Sequence, residues 1–296
     1  MKYFARIAAL AAVSLAAMSA QAGNVLVVLS DAHHLELKDG KRYVTGFFLN
    51  ELLQPVKLLL DAGHQVTFAT PQGKAPSVDP SSIDPMHFGG SAASLKEYQT
   101  LLENLKLTSP LSSPVVSLER VEQIGYGHFD AVYVPGGHAP MQDLLASPQL
   151  GRLLTNFHRA GKTTALVCHG PVALLSALPD AVAFKRQMEQ RNQAARQRNW
   201  IYAGYRFTVI SNDEEAQAKA VLNGGVMKFY PQTALEQAGG QYSSNRAPWT
   251  PHVVIDRELI TGQNPASALQ VGQALLERLK ATSPAADNVG RKTESR

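Results

Sequence analysis

The chain has 296 residues, a single cysteine and a formal net charge of +4, from 28 Lys and Arg against 24 Asp and Glu. That near balance excludes the dense cationic footprint of a nucleic-acid binder, and one cysteine cannot close an internal disulfide. The length is ample for one large core.

The first residues place Lys2 and Arg6 ahead of an apolar run from Ile7 to Met18, followed by Ala20-Gln21-Ala22 before Gly23. A basic start, an apolar middle and a small-residue cleavage site predict a secretory leader over 1–22. The run is too short and alanine-rich for a membrane anchor. The expected mature protein is periplasmic, carries a charge of +2 once Lys2 and Arg6 are removed, and has no membrane attachment.

The remaining chain alternates two periodicities. "NVLVVLS" (24–30) is a continuous apolar run, as a parallel strand covered on both faces requires. Leu49, Leu52, Leu53, Val56, Leu59 and Leu60 recur at helical spacing within a predicted helix over 46–62; Gly63 is placed to end it, and "QVTFAT" follows as a strand. Residues 71–93, rich in Pro, Gly and Ser, predict a long loop, which in a compact domain tends to be functional. A helix at 94–107, the strand of "FDAVYVPGG", a helix at 147–160, the strand "TTALVC" and a helix from Gly170 repeat the grammar. Residues 180–203 read as an inserted polar helix; "YRFTVIS", "HVVID" and "ELITG" read as strands, 265–280 as a closing helix, and 281–296 as a polar, disordered tail. Alternating strands and helices predict one α/β domain over 24–280 with a mostly parallel sheet.

Chemistry concentrates in "KTTALVCHGPVALLSA" (162–177). A strand stopping at Cys168 and a helix starting near Gly170 place the thiol on a strand-to-helix turn, the geometry of a nucleophile elbow. There the helix N-terminus and a neighbouring acid or imidazole are expected to lower the thiol pKa. The alternative is an inert core thiol, the common fate of free cysteine. His169 is either a base or an ordinary turn residue. Gly136 and Gly137 in "VPGGHAP" either let backbone N–H groups approach a ligand as an oxyanion site requires or form a plain turn. Glu51, early in a helix packed on the sheet, lies towards the usual ligand crevice, although a lone helical glutamate is commonly solvated. "SNDEEAQ" reads first as a capped helix start. His33 and His34 lack a third ligand at clear spacing and make a weak metal motif.

Taken together, "TGFFLNEL", "VPGGHAP", "ALVCHGP", "SNDEE" and "PHVVIDRELITGQNPASA" resemble, in order and spacing, the ThiJ/PfpI superfamily, and within it the branch of glutathione-independent glyoxalases and heat-inducible chaperone-like proteins. The resemblance spans roughly 24–280. It implies a flavodoxin-like three-layer sandwich, commonly a homodimer, with nucleophile Cys168, the adjacent His169, the acidic partner Glu215, with Asp213 and Glu214 as near rivals, and the carboxylate Glu51 against the thiol. It also implies oxyanion or substrate contacts from Gly136, Gly137, His169 and Gly170, a small aldehyde substrate, and no cofactor or metal. The activity it implies converts methylglyoxal or a related 2-oxoaldehyde to a 2-hydroxy acid, with deglycation as a variant at the same site. A stress-protection chaperone with a redox-sensing Cys168 is the alternative. Hydrolysis or amidotransfer is disfavoured, because the His-x-Glu spacing such glutaminases carry after the cysteine occurs only at His34-Leu35-Glu36, before it.

Overall fold

The structure, a computed structural model, describes residues 22–197, 199–222 and 224–282. The leader read over 1–22, apart from Ala22, and the tail beyond Thr282 lie outside the described residues. The chain runs through β1 (Asn24–Val28), β2 (His34–Glu36), β3 (Arg42–Val44), α1 (Leu49–Asp61), β4 (Gln65–Thr70), α2 (Ala92–Leu105), β5 (Val116–Ser117), α3 (Leu118–Ile124), β6 (Ala131–Val134) and α4 (Pro148–Arg159). It continues as β7 (Thr163–Val167), α5 (Ala181–Arg191), β8 (Arg206–Phe207), α6 (Asn212–Gln217), α7 (Pro231–Ala238), β9 (Gln241–Tyr242), β10 (Val253–Asp256), β11 (Leu259–Gly262) and α8 (Ala268–Thr282). Among the described residues no helix is long and apolar enough to cross a membrane.

Seven strands form the central sheet in the order β10-β11-β7-β6-β1-β4-β5, all parallel except β10, which pairs antiparallel with β11. The five strands β4-β1-β6-β7-β11 have the flavodoxin-like order, with its switch point between β1 and β6. Helices α1 and α8 pack together on one face, and α3 and α4 pack together on the other. The apolar runs Val25–Leu29, Ala131–Val134 and Ala165–Val167 are buried because both faces of these strands are covered. Crevices in such sheets open at the carboxyl ends of the strands, where β6 hands over to Gly136-Gly137 and β7 to Cys168.

Three predicted elements differ. The inserted helix stops at Arg191 rather than 203: Asn192 takes a left-handed conformation (φ 50°) as its C-terminal residue. The chain then turns inward to bury Trp200, Tyr202 and Tyr205, with the Trp200 indole N–H donating to the Leu174 carbonyl at 3.0 Å. "YRFTVIS" yields only the two-residue β8, paired with β9 outside the main sheet; the Thr208 N–H donates instead to Thr261 Oγ1 at 2.9 Å. The loop over 71–93 contains two 3-10 turns, Pro80–Ser82 and Pro85–Phe88, each capped by an aspartate (Asp79, Asp84) and opened by a proline whose fixed φ suits that position.

Candidate active site

Cys168 leaves β7 with φ 58°, left-handed backbone that costs a non-glycine residue about 1–2 kcal/mol. Its neighbours hold it there: its N–H donates to the Gly262 carbonyl of β11 at 2.9 Å, and its carbonyl accepts from Ile210 N–H at 3.1 Å. Strain of this kind persists where the surroundings over-determine it, and here it turns the sulfur out of the sheet. The chain then enters a 3-10 segment, Gly170–Ala177. Gly170 is required for close approach, since a Cβ there would lie 2.4 Å from the Val134 carbonyl.

Glu51 reaches the sulfur from α1. Pro55, inside that helix, has no N–H to give to the carbonyl of residue 51, four positions earlier. The Tyr133 hydroxyl of β6 fills the vacancy by donating to that carbonyl, which ties the Glu51 backbone to the sheet. The carboxyl is fully buried; Oε2 accepts the Gly136 N–H at 2.8 Å, Oε1 has no hydrogen-bond partner, and the group lies close enough to the Cys168 thiol for each to move the other's pKa. Burial pushes its pKa up to about 8, against the lowering effect of the Cys168 and Gly136 contacts. Gly136 is glycine of necessity: a Cβ there would stand 2.6 Å from Glu51 Oε2 and 2.7 Å from Cys168 Cβ.

On the other side of the sulfur, His169 Nδ1 lies 3.3 Å from Sγ and Nε2 lies 2.7 Å from Glu215 Oε1. With the ring proton on Nε2, donated to Glu215, Nδ1 is left as an acceptor for the thiol proton. Burial works to raise the Glu215 pKa, but the charge and hydrogen bond of His169 outweigh it and leave this carboxylate below its ordinary value. The rivals are otherwise placed. Glu214 closes the capping box with Ser211 and accepts from Asn264 and the Trp249 N–H, each at 2.7 Å, whereas Asp213 is exposed.

The expectation of a lowered thiol pKa is overturned. Burial, then the charge of Glu51, push Cys168 well above its ordinary value. Cys168 is thus held as a thiol, and its proton has to leave as the sulfur attacks. Two of the expected oxyanion contacts also need correction. The Gly136 N–H is already given to Glu51, and Gly170 packs against the carbonyls of 134 and 135; neither belongs to the cavity wall. Gly137 (φ 84°) and His169 do line the cavity.

That cavity, of roughly 780 Å³, opens over Cys168 and is walled by Phe48, Met86, Val221, Trp249 and Leu269 as well as His138, His169 and Glu215. No Lys or Arg belongs to its described wall. His138 was missed in the sequence, where only the glycines of its motif carried a signal. It is buried, its ring centroid lies 4.2 Å from that of His169, and its Nδ1 is 3.8 Å from Asp79 Oδ2. His138, His169 and Glu215 offer ligand atoms within 4.8 Å of one another, so they are the group here that suits a metal ion; binding would displace the proton shared by His169 and Glu215. Among the described residues His33 and His34 join no such group.

Fold and site together define an α/β sandwich with a cysteine nucleophile elbow. The chain belongs to the family described as ThiJ/PfpI family-like, whose model matches residues 44–221. It is 28% identical over 282 residues to the probable glutathione-independent glyoxalase hsp3103 of Schizosaccharomyces pombe, covering 88% of this chain and all of that one. It is 26% identical to the protein/nucleic acid deglycase HchA of Staphylococcus aureus (strain bovine RF122 / ET3-1), over 86% of this chain and 79% of the relative. The crystal structure of glyoxalase III from Candida albicans superposes with a TM-score of 0.63 at 19% identity, over 86% of this chain and 96% of that one, which shows the shared fold. With glyoxalases and a deglycase as relatives matched over most of their length, this chain is an enzyme.

Proposed function

We propose that this enzyme is a glutathione-independent glyoxalase acting on methylglyoxal or a related 2-oxoaldehyde. The observation that carries the reading is the placement of one strained, buried thiol between the Glu51 carboxyl and the His169–Glu215 pair, at the floor of a cavity able to hold a small carbonyl compound. A glutathione-dependent enzyme needs the tripeptide thiol to form a hemithioacetal; here the protein supplies that thiol.

The thiol adds to the aldehyde carbon C1 while His169 Nδ1 takes the sulfur proton, so that no thiolate has to stand beside Glu51. In this reading the backbone N–H groups of Gly137 and His169, both residues of the cavity wall, hold the developing oxyanion, which then recovers the proton from His169. Glu51, close to the sulfur bonded to C1, is placed to move the C1 hydrogen to C2 as general base and then acid, and a pKa of about 8 suits that exchange near neutrality. The product is a thioester of Cys168, which water cleaves to the 2-hydroxy acid. This makes the reaction a lyase-type isomerisation and hydrolysis without added cofactor. Deglycation of early adducts uses the same carbonyl addition and belongs to the same reading.

The leader sequence supports export to a periplasm, where a single thiol buried from solvent escapes random oxidation better than an exposed one. A homodimer is part of the proposal on family resemblance. The test is lactate formation from methylglyoxal by purified protein without glutathione. Full activity of a Cys168→Ser variant removes the reading.

A further inference from the structure

Met86, Val221, Trp249 and Leu269 are exposed apolar side chains, and all four stand on the wall of the cavity over Cys168. Apolar groups that cluster where a cavity meets solvent mark a surface that something apolar covers. The charge of the wall points the same way. Among its described residues there is no Lys or Arg, His169 holds Glu215 ionised, and burial lowers the His87 pKa and so favours its neutral ring. Nothing there attracts an anion.

Trp249 is fixed in place. It sits at the end of a stretch exposed from 243 to 249 and has left-handed backbone (φ 64°), which a bulky residue adopts only where its surroundings hold it. Its N–H donates to Glu214 Oε1 at 2.7 Å, and its indole N–H donates to Gln217 Oε1 at 2.8 Å. Asn264 Nδ2 donates to the same Glu214 oxygen at 2.7 Å and to the Thr250 carbonyl at 2.9 Å, which ties down the residue after the indole. Glu214 is itself completely buried, and its Oε2 accepts from the N–H and the hydroxyl of Ser211 at 2.9 and 3.0 Å. Four donors thus meet two oxygens, and a carboxylate, which carries no hydrogen, can accept them all. The capping box needs only Oε2; Oε1 is spent on the Trp249 loop. Glu214 and Gln217 both belong to α6, the helix whose Glu215 orients His169, so one short helix places the catalytic acid and the rim indole together.

We propose that Trp249 is a specificity-determining residue that selects neutral 2-oxoaldehydes bearing a bulky apolar substituent, and that Glu214 is its positioning residue. This deepens the glyoxalase reading and rests on it. With the aldehyde carbon bonded to Sγ at the cavity floor, the substituent on C2 extends towards the rim, and a ring reaches the indole where a methyl group does not. Because Glu214 and Gln217 hold the indole before the substrate arrives, little freedom is lost when the substituent packs against it. A substituent that carries a carboxylate is rejected, since it has to leave water for a wall whose charge is the Glu215 carboxylate.

Initial rates of the full-length protein with methylglyoxal, phenylglyoxal and 4-carboxyphenylglyoxal test this in wild type, Glu214→Gln and Gln217→Ala. Wild-type kcat/KM for phenylglyoxal should exceed that for its carboxylate analogue, which presents the same ring, by roughly tenfold or more. The ratio of phenylglyoxal to methylglyoxal kcat/KM should fall about tenfold in Glu214→Gln, whose amide replaces one acceptor oxygen by a donor, and the fall should lie in the phenylglyoxal KM rather than in kcat. Gln217→Ala should lower the ratio about threefold; it leaves the buried carboxylate intact and carries the test if Glu214→Gln does not fold. The chain has two tryptophans and Trp200 is buried, so acrylamide quenching of fluorescence reports Trp249 and should increase in both variants. Equal use of phenylglyoxal and its carboxylate analogue, an unchanged substrate ratio in the folded variants, or unchanged quenching overturns this inference alone. Equal loss on methylglyoxal and phenylglyoxal in the variants also overturns it, by showing that α6 merely holds Glu215 in place. A wild type that turns over no 2-oxoaldehyde overturns the glyoxalase reading and this inference with it.

Discussion

Glu51→Gln tests the electrostatics of the site apart from any catalytic assay. Glutamine retains an acceptor for the Gly136 N–H and nearly the same volume, but cannot ionise. In the native protein burial raises the Glu51 pKa from 4.5 to about 8, so between those values the folded state holds a proton that the unfolded chain releases. The contribution of this group to stability is therefore fully present below pH 4.5 and is lost progressively as pH rises to about 8. At about 1.4 kcal/mol per pH unit the interval corresponds to a ceiling of about 5 kcal/mol, and relaxation around a buried charge brings the expected loss nearer to about 2–3 kcal/mol. Urea unfolding at pH 5 and pH 8 reads this as a difference of differences, because the other titrating groups are common to both proteins. Wild type should lose about 2–3 kcal/mol more than Glu51→Gln over that range, and the variant should be the more stable at pH 8. Parallel curves, or a variant less stable at pH 8, would refute a proton-retaining Glu51. The same carboxyl acting as base makes wild-type kcat rise with pH towards a plateau above about 8, and Glu51→Gln should be inactive at every pH.

Three other outcomes rest on the geometry. Because Cys168 sits at φ 58°, Cys168→Gly should melt higher than Cys168→Ala by an amount worth about 1 kcal/mol; equal stability of these two inactive variants would show that the elbow is unstrained. Gly136→Ala would drive a methyl to 2.6 Å from Glu51 Oε2 and 2.8 Å from the His169 nitrogen, so activity should be lost together with about 1–3 kcal/mol of stability; an active variant would mean the elbow and α1 are not packed as described. The size of the cavity and its apolar wall favour bulkier substituents, so phenylglyoxal should show a higher kcat/KM than methylglyoxal, and Trp249→Ala should narrow that gap by lowering the phenylglyoxal value alone. Equal loss for both substrates would place Trp249 outside the substrate path.

Local pattern determined much of this protein. The period-two and period-3.6 stretches announce the strands and helices of the sheet, since a strand buried on both faces must be apolar throughout and a helix packed on it must carry an apolar stripe. The place of Cys168 between strand and turn is equally local, as are Ser147 and Ser211 as helix caps. Tertiary packing decided the rest. Which of Asp213, Glu214 and Glu215 meets His169 depends on side-chain direction around one helical turn, and the capping box with Ser211 takes Glu214 out of contention. The inserted helix ends early because a polar periodicity continues past Arg191 while Trp200 and Tyr202 must reach a core formed by distant residues. The direction of the thiol pKa could not be read along the chain, since it depends on burial and on Glu51, residues 117 positions apart being brought together only by the fold. His138 and Asp79 gave no sequence signal for the same reason: a histidine without a hydrogen-bond partner looks ordinary in a string of letters and becomes informative only when water is excluded from both of its nitrogens.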